Sequence, residues 1–417
     1  MFDLVGTHAR LERIYRMYLE STFPLRFASV ARERNALIAS AGLLSQPPLV
    51  EPTPLYPSSG QTLAELAASL PDAQGAYRDV ASLASALFPF APYQHQKEAL
   101  EAHLAGRDLI VTTGTGSGKT ESFLLPLFAE LARESRGWAA APPAPDERFW
   151  WRAPGVRTVG QFAHLNRPSA MRALLLYPLN ALVEDQLRRL RVALSAPEVT
   201  AWLDRERGGN RITFGRYTSQ TPVAGPATKS KLRELRAALL ERDAQWNSLI
   251  DSIAQANPGA RAPLEALRYH FPALEDGEMW SRWDMQETPP DLLITNYSML
   301  NVMLMRTLEA PMFNQTRAWL AQDPSHIFFL IVDELHSYRG TPGSEVAYLL
   351  RLLLERLGLT PDSPQLRIVA TTASLNLESS SYEGETASQR YVRECANSSG
   401  GTRTGSWPFQ ALRSRPA

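Results

Sequence analysis

Glycines 114, 116 and 118, followed directly by Lys119 and Thr120, form a run suited to holding phosphate. Without Cβ atoms, such a turn can curl until successive N–H groups converge on phosphate oxygens. A helix starting at Lys119 would add the positive end of its dipole. In that arrangement Thr115, Gly116, Ser117 and Gly118 line the cradle, Lys119 reaches the β- and γ-phosphates, and Thr120 ligates Mg2+. The strict pattern GxxxxGK[ST] asks for glycine at 113, where this chain has threonine. Gly118-Lys119-Thr120 is untouched by that departure. Lys119 is also one of only four lysines, with Lys97, Lys229 and Lys231, among 43 basic residues.

A second constellation, Asp333-Glu334-Leu335-His336, follows 214 residues after Lys119, at the end of the most apolar segment of the chain. Carboxylates at the C-terminal end of a strand lie at the crevice where open α/β sheets bind ligands. Asp333 would hold Mg2+, usually through water, and Glu334 would orient and deprotonate the attacking water. Taken alone, the pair also reads as a helix cap, and His336 as a packed or solvated histidine. A phosphate loop upstream favours the chemical reading.

These groups need a frame. Short apolar runs at 108–113, 173–178, 291–295, 327–333 and 367–373 do not alternate with polar residues, which predicts strands covered on both faces. The fold class expected is therefore α/β, a P-loop parallel sheet flanked by helices. Residues 1–87 read as a helical extension, with Leu11, Ile14, Tyr15 and Tyr18 near helical spacing and Thr62 and Glu65 in capping-box spacing. Residues 88–378 form the main domain, interrupted by insertions at about 135–170 and 197–288. Residues 379–417 read as a tail. Trp138, Trp150, Trp151, Trp280 and Trp283 fall in or beside the insertions, and burial is favoured over base stacking for them.

Composition limits the partners. The chain has 417 residues, 43 basic against 43 acidic, so no global positive field draws it to nucleic acid and any such contact needs local patches. A single cysteine, Cys395, can form neither an internal disulfide nor a cysteine-rich zinc site. No apolar run approaches the length of a membrane span and the first residues carry charge, so the sequence reads as soluble and cytoplasmic, without a membrane partner.

Gln96, 23 residues before Lys119, the TGTGSGKT loop, ESFLLPLF after it and Asp-Glu-x-His together resemble the first RecA-like domain of superfamily-two DExH helicases. The matching motifs run from about Phe88 to Ser374, some 70% of the chain. The resemblance implies ATP and Mg2+ as cofactors, and it explains Thr113, which the family tolerates. It assigns Gln96 to the adenine edge, and His336, Thr372 and Ser374 to coupling of hydrolysis to strand movement. YPLNALVEDQ, GRYT and DELHSYRGTPGSEVAYLLR further resemble large bacterial DEAD/DEAH helicases, whose relatives act in DNA repair and anti-phage defence. By the same resemblance Pro178, Asn180, Arg216, Tyr217, Thr295 and Asn296 belong to a track gripping a nucleic-acid backbone, DNA more than RNA. On their own, these segments also read as ordinary strand-end turns.

Motors of this family close two RecA-like domains around ATP, and the 43 residues after Ser374 are too few for a second. The expectation is an N-terminal piece of a longer helicase, with the second half separately encoded or lost near Cys395, or defence-system subunits as partners. Two rival readings stay open. One is an ATP-binding clamp or accessory subunit that does not unwind. The other is a P-loop ATPase of another class, against which Gln96 counts.

Overall fold

The computed structural model describes residues 3–372, apart from 41, 47–54, 72–74, 115, 153–156, 158, 273 and 339–340. Thr115, Ser374, Cys395 and the tail at 379–417 lie outside the described residues. Contacts divide the chain into two units, Met1–Leu55 and Tyr56–Ala417. The first holds two helices, α1 (Leu4–Thr22) and α2 (Ala28–Ile38). Asp3 caps α1 by accepting from the Gly6 N–H at 2.8 Å.

In the second unit, six strands form one sheet: β1 (Leu109–Thr112), β2 (Ala173–Tyr177), β3 (Phe214–Tyr217), β4 (Leu292–Asn296), β5 (Phe328–Val332) and β6 (Leu366–Thr372). Their order is β1-β6-β5-β2-β4-β3 and every pairing is parallel. All five strands expected from sequence are present. The sixth, β3, was read only as a turn.

Helices cover both faces, as the unbroken apolar runs require. On one face lie α3 (Leu63–Ser69), α4 (Val80–Leu83), α5 (Gln94–Leu104), α6 (Lys119–Glu134), α7 (Asn180–Leu194) and α8 (Pro197–Glu206). Their buried residues pack on Ala173, Leu175, Ile294, Phe329, Ile331 and Val369. The opposite face, Leu174, Leu176, Leu293, Leu330, Val332 and Ile368, meets α12 (Tyr297–Met305), α13 (Ala310–Gln322) and α14 (Thr341–Leu357). Between β3 and β4 the chain builds α9 (Lys229–Gln255), α10 (Pro258–Leu267) and α11 (Arg282–Glu287).

The packing boundary differs from the expected one at 87. Leu63, Leu66, Val80 and Leu83 are buried in the same core as Phe123 and Phe128 of α6, so residues 56–87 pack with the sheet. The Thr62 capping box is formed: Glu65 Oε2 accepts from the Thr62 N–H at 2.7 Å and Thr62 Oγ1 from the Glu65 N–H at 3.2 Å.

The insertions share a small core of their own. Trp150, Trp151, Trp280 and Trp283 are buried with Leu235 and Leu239 of α9. The Trp151 indole donates to Asp243 at 2.7 Å, and Arg152 pairs with the same carboxylate at 2.7 Å. Burial, not base stacking, is the fate of these tryptophans.

At the N-terminal edge of the sheet, the fully buried Asp291 accepts from Arg167, Arg172 and the Thr213 N–H at 2.6–2.7 Å. Arg172 also pairs with Glu134 of α6 at 2.6 Å. This network ties the starts of β2, β3 and β4 to the end of α6.

Candidate active site

The site forms where the topology brings two loops together. β1 and β5 are separated by β6 alone, and a parallel sheet places their C-terminal ends on one edge. The phosphate loop leaves β1 and the acidic pair leaves β5. They meet across a cavity of about 660 Å³ lined by Gln96, Gly118, Lys119, Thr120, Asp333 and Glu334, among others.

Gly116 and Gly118 have φ of +81° and +76°, the left-handed region that side chains disfavour. Gly118 caps α6, so Lys119 and Thr120 stand in its first turn, whose N–H groups have no partner within the helix. A Cβ at Gly118 would collide with the Gln96 amide. Ser117 is fully buried, its hydroxyl 2.6 Å from Thr113 Oγ1. Threonine at 113 is therefore a partner inside the loop, not merely a tolerated departure. His95 Nε2 lies 3.0 Å from the Ser117 carbonyl, and burial holds the pKa of His95 below its ordinary 6.5.

Lys119 Nζ lies 4.0 Å from Glu334 Oε1. Glu334 itself has φ +50° and ψ +50°, one of two non-glycine residues with positive φ among the described residues. Its other oxygen lies 3.2 Å from His336 Nδ1, and that nitrogen is 3.0 Å from Thr372 Oγ1. Asp333 accepts a hydrogen bond from Thr371 Oγ1. Burial raises its pKa, an effect that the Thr371 hydrogen bond opposes and Glu334 reinforces. Asp333 and Thr120 line the same cavity, and a desolvated carboxylate together with a hydroxyl is a hard-oxygen set of the kind Mg2+ takes, which binds through one or two carboxylates plus phosphate oxygens.

Gln96 is buried, and both ends of its amide are engaged. Nε2 donates to the Gly118 carbonyl at 3.1 Å and Oε1 accepts from the Tyr93 N–H at 2.8 Å. The glutamine thus ties α5 to the phosphate loop, and one N–H and one lone pair are left over.

Residues 93–216 match the DEAD/DEAH box helicase family model. That stretch carries a DEAD/DEAH box helicase domain. Druantia protein DruE of Escherichia coli (strain UMEA 4076-1) is 33% identical over 396 residues, a match covering 86% of this chain and 20% of DruE. The chain thus spans about a fifth of the length of that curated relative. The crystal structure of the DUF1998 helicase MrfA bound to DNA and AMPPNP aligns with a TM-score of 0.37 and 19% identity, covering 71% of this chain and 26% of that one. A second crystal structure of the DUF1998 helicase MrfA gives a TM-score of 0.36 and 18% identity, covering 73% of this chain and 30% of that one.

Three side chains that line the cavity are not assigned to it by the sequence. Gln186 Nε2 donates to Thr120 Oγ1 at 3.2 Å, and Arg189 bridges Glu121 at 2.7 Å and Asp185 at 2.9 Å. Tyr177 is the third. The available signal was polar residues recurring at positions 185, 186 and 189 of α7, a helix otherwise packed on the sheet.

The residues assigned to a nucleic-acid track divide. Asn180 and Asn296 stand at the ends of β2 and β4, and Asn296 Nδ2 donates to Asn180 Oδ1 at 2.6 Å. Pro178 is half-buried beside the exposed Leu179. Tyr217 and Thr295 correct the expectation, because both are fully buried. The Tyr217 hydroxyl donates to Glu309 at 2.7 Å and Thr295 Oγ1 to the Tyr217 carbonyl at 2.7 Å, so these side chains brace the strand ends from within. Arg216 is half-buried and paired with Glu184.

Among the described residues no helix is long and apolar enough to cross a membrane.

Proposed function

We propose that this chain is the first motor domain of an ATP-dependent nucleic-acid helicase or translocase. The observation that carries the reading is convergence: Lys119, at the end of the phosphate loop, lies 4.0 Å from Glu334 across one cavity, although 214 residues separate them in sequence. Lys119 and the first-turn amides of α6 bind the phosphates, and Gln96 presents its remaining N–H and lone pair to the adenine edge. Thr120 and Asp333 would hold Mg2+, which when bound supplies charge neutralisation. Glu334 orients and accepts a proton from the attacking water. His336 and Thr372, 3.0 Å apart, link the acidic tip to β6 and serve coupling. The Thr115 and Ser374 assignments rest on the sequence resemblance alone.

The strand track runs over Pro178, Asn180 and Asn296, with Arg216 at its rim. Contacts of this kind grip the sugar-phosphate backbone and make binding tolerant of sequence and sensitive to salt. Single-stranded DNA is the favoured polymer, on the resemblance to DNA-repair and defence helicases. DruE extends far beyond the matched region, which supports a working unit with further domains or subunits. A cytoplasmic location follows from this role.

The test is ATP hydrolysis, with and without single-stranded DNA or RNA, by the chain together with the second RecA-like half that the reading calls for. Expected are stimulation by a strand and a fall of about 10²–10⁴-fold in Glu334→Gln, the contribution typical of a general base. Hydrolysis unchanged in Glu334→Gln, or indifferent to both polymers, would overturn the reading.

A further inference from the structure

The end of the sheet carries a polar row that the assignments above do not use in full. Alternation places Ala173, Leu175 and Tyr177 of β2 on the same face as Phe329 and Ile331 of β5. The ladder continues one step beyond the paired strands, since the Asp333 N–H donates to the Leu176 carbonyl at 3.0 Å. Tyr177 therefore stands beside Asp333, with Thr371 on the far side of Asp333 and Asn296 opposite Tyr177 on β4.

Tyr177 is fully buried, lines the nucleotide cavity, and its hydroxyl has no hydrogen-bond partner among the described residues. Buried tyrosine hydroxyls ordinarily find one. Tyr217 does, with Glu309 and Gln286 each at 2.7 Å. Tyr338 also lacks a partner, but it belongs to the opposite core face and not to the cavity lining. A phenol carries one O–H donor, so the unpartnered hydroxyl has a hydrogen bond to give.

We propose that Tyr177 is a positioning residue for Mg2+-nucleotide, donating its hydrogen bond to a water in the shell that Asp333 gathers when the nucleotide binds. This rests on the reading of the cavity as an ATP site. The strand order selects water over phosphate as the acceptor. β2 lies on the far side of β5 from β1, so Tyr177 approaches Asp333 from the side away from the phosphate loop. An acceptor there would stand between the phenol and the Asp333 carboxylate, in a lining that also holds Glu334, Asp185 and Arg189. Water in a cation's shell meets that requirement, because it accepts from the phenol while donating to a carboxylate. Through Asn296 and Asn180, the same row runs on to the strand track.

The experiment measures binding of a fluorescent ATP analogue to the full chain, with Mg2+ titrated against a chelator, in wild type, Tyr177→Phe and Lys119→Ala. In Tyr177→Phe the gain in affinity conferred by Mg2+ is expected to fall about tenfold, the loss of one hydrogen bond in a charged setting. Metal-free affinity and melting temperature should match wild type, which separates positioning from a structural role. Wild-type Mg2+ dependence in the variant overturns the proposal, as does an equal loss with and without metal. Failure of the wild type to bind the analogue at all overturns the ATP-site reading instead, and a loss confined to Lys119→Ala rejects only the role of Tyr177.

Discussion

Glu334 shows how much the site asks of single residues. A glutamate with φ +50° costs about 1–3 kcal/mol relative to an ordinary conformation, and such strain persists only where the surroundings over-determine it. Here the turn carries Glu334 to a position between Lys119 and His336, 4.0 and 3.2 Å from its two oxygens. Asp291 illustrates the opposite economy, a buried charge satisfied in full. Burial alone would raise its pKa, but Arg167 and Arg172 outweigh that and hold it below the ordinary 3.8. The stabilisation is therefore present above about pH 3.8 and is lost as pH falls through the lowered value. Asp291→Asn removes the negative charge and leaves two buried guanidinium groups without it. A loss of about 3–5 kcal/mol in denaturant unfolding is expected. A midpoint equal to wild type would show that the network contributes little.

At the scale of elements, the insertions behave as a satellite core, not as loose loops. Trp151 is fully buried, meets Trp280 edge to face at 4.3 Å between ring centroids, and is pinned to α9 by Asp243. Trp151→Ala is expected to cost about 3–5 kcal/mol locally and to open α9 to limited proteolysis while nucleotide binding persists. Equal protease resistance in the variant would mean that α9 is held elsewhere. The five strands that build the site were legible because both faces are covered, which writes itself as unbroken apolar runs. β3 is not, since FGRY carries an arginine and a glycine and lies at the end of the strand order, beside β4. The boundary expected at 87 follows from where strand–helix alternation begins, at Phe88, whereas the helices before it already pack on the core from Leu63. The phosphate loop and the acidic tip are legible as motifs, but the α7 side chains that brace them, Gln186 and Arg189, are not. Their role depends on which side of a helix or strand faces the cavity, and no local pattern states that.

For the whole molecule, a formal charge of zero means that the proposed strand binding would fall to a few side chains at one edge of the sheet. The nucleotide site, by contrast, is assembled entirely within the unit that begins at Tyr56. Everything else in the account depends on that assembly working as one site. Titration calorimetry of the chain with a non-hydrolysable ATP analogue and Mg2+, in wild type and Lys119→Ala, tests it most directly. The expected result is one site per chain in wild type and no measurable heat in the variant. Equal binding by both proteins, or none by wild type, would contradict the account.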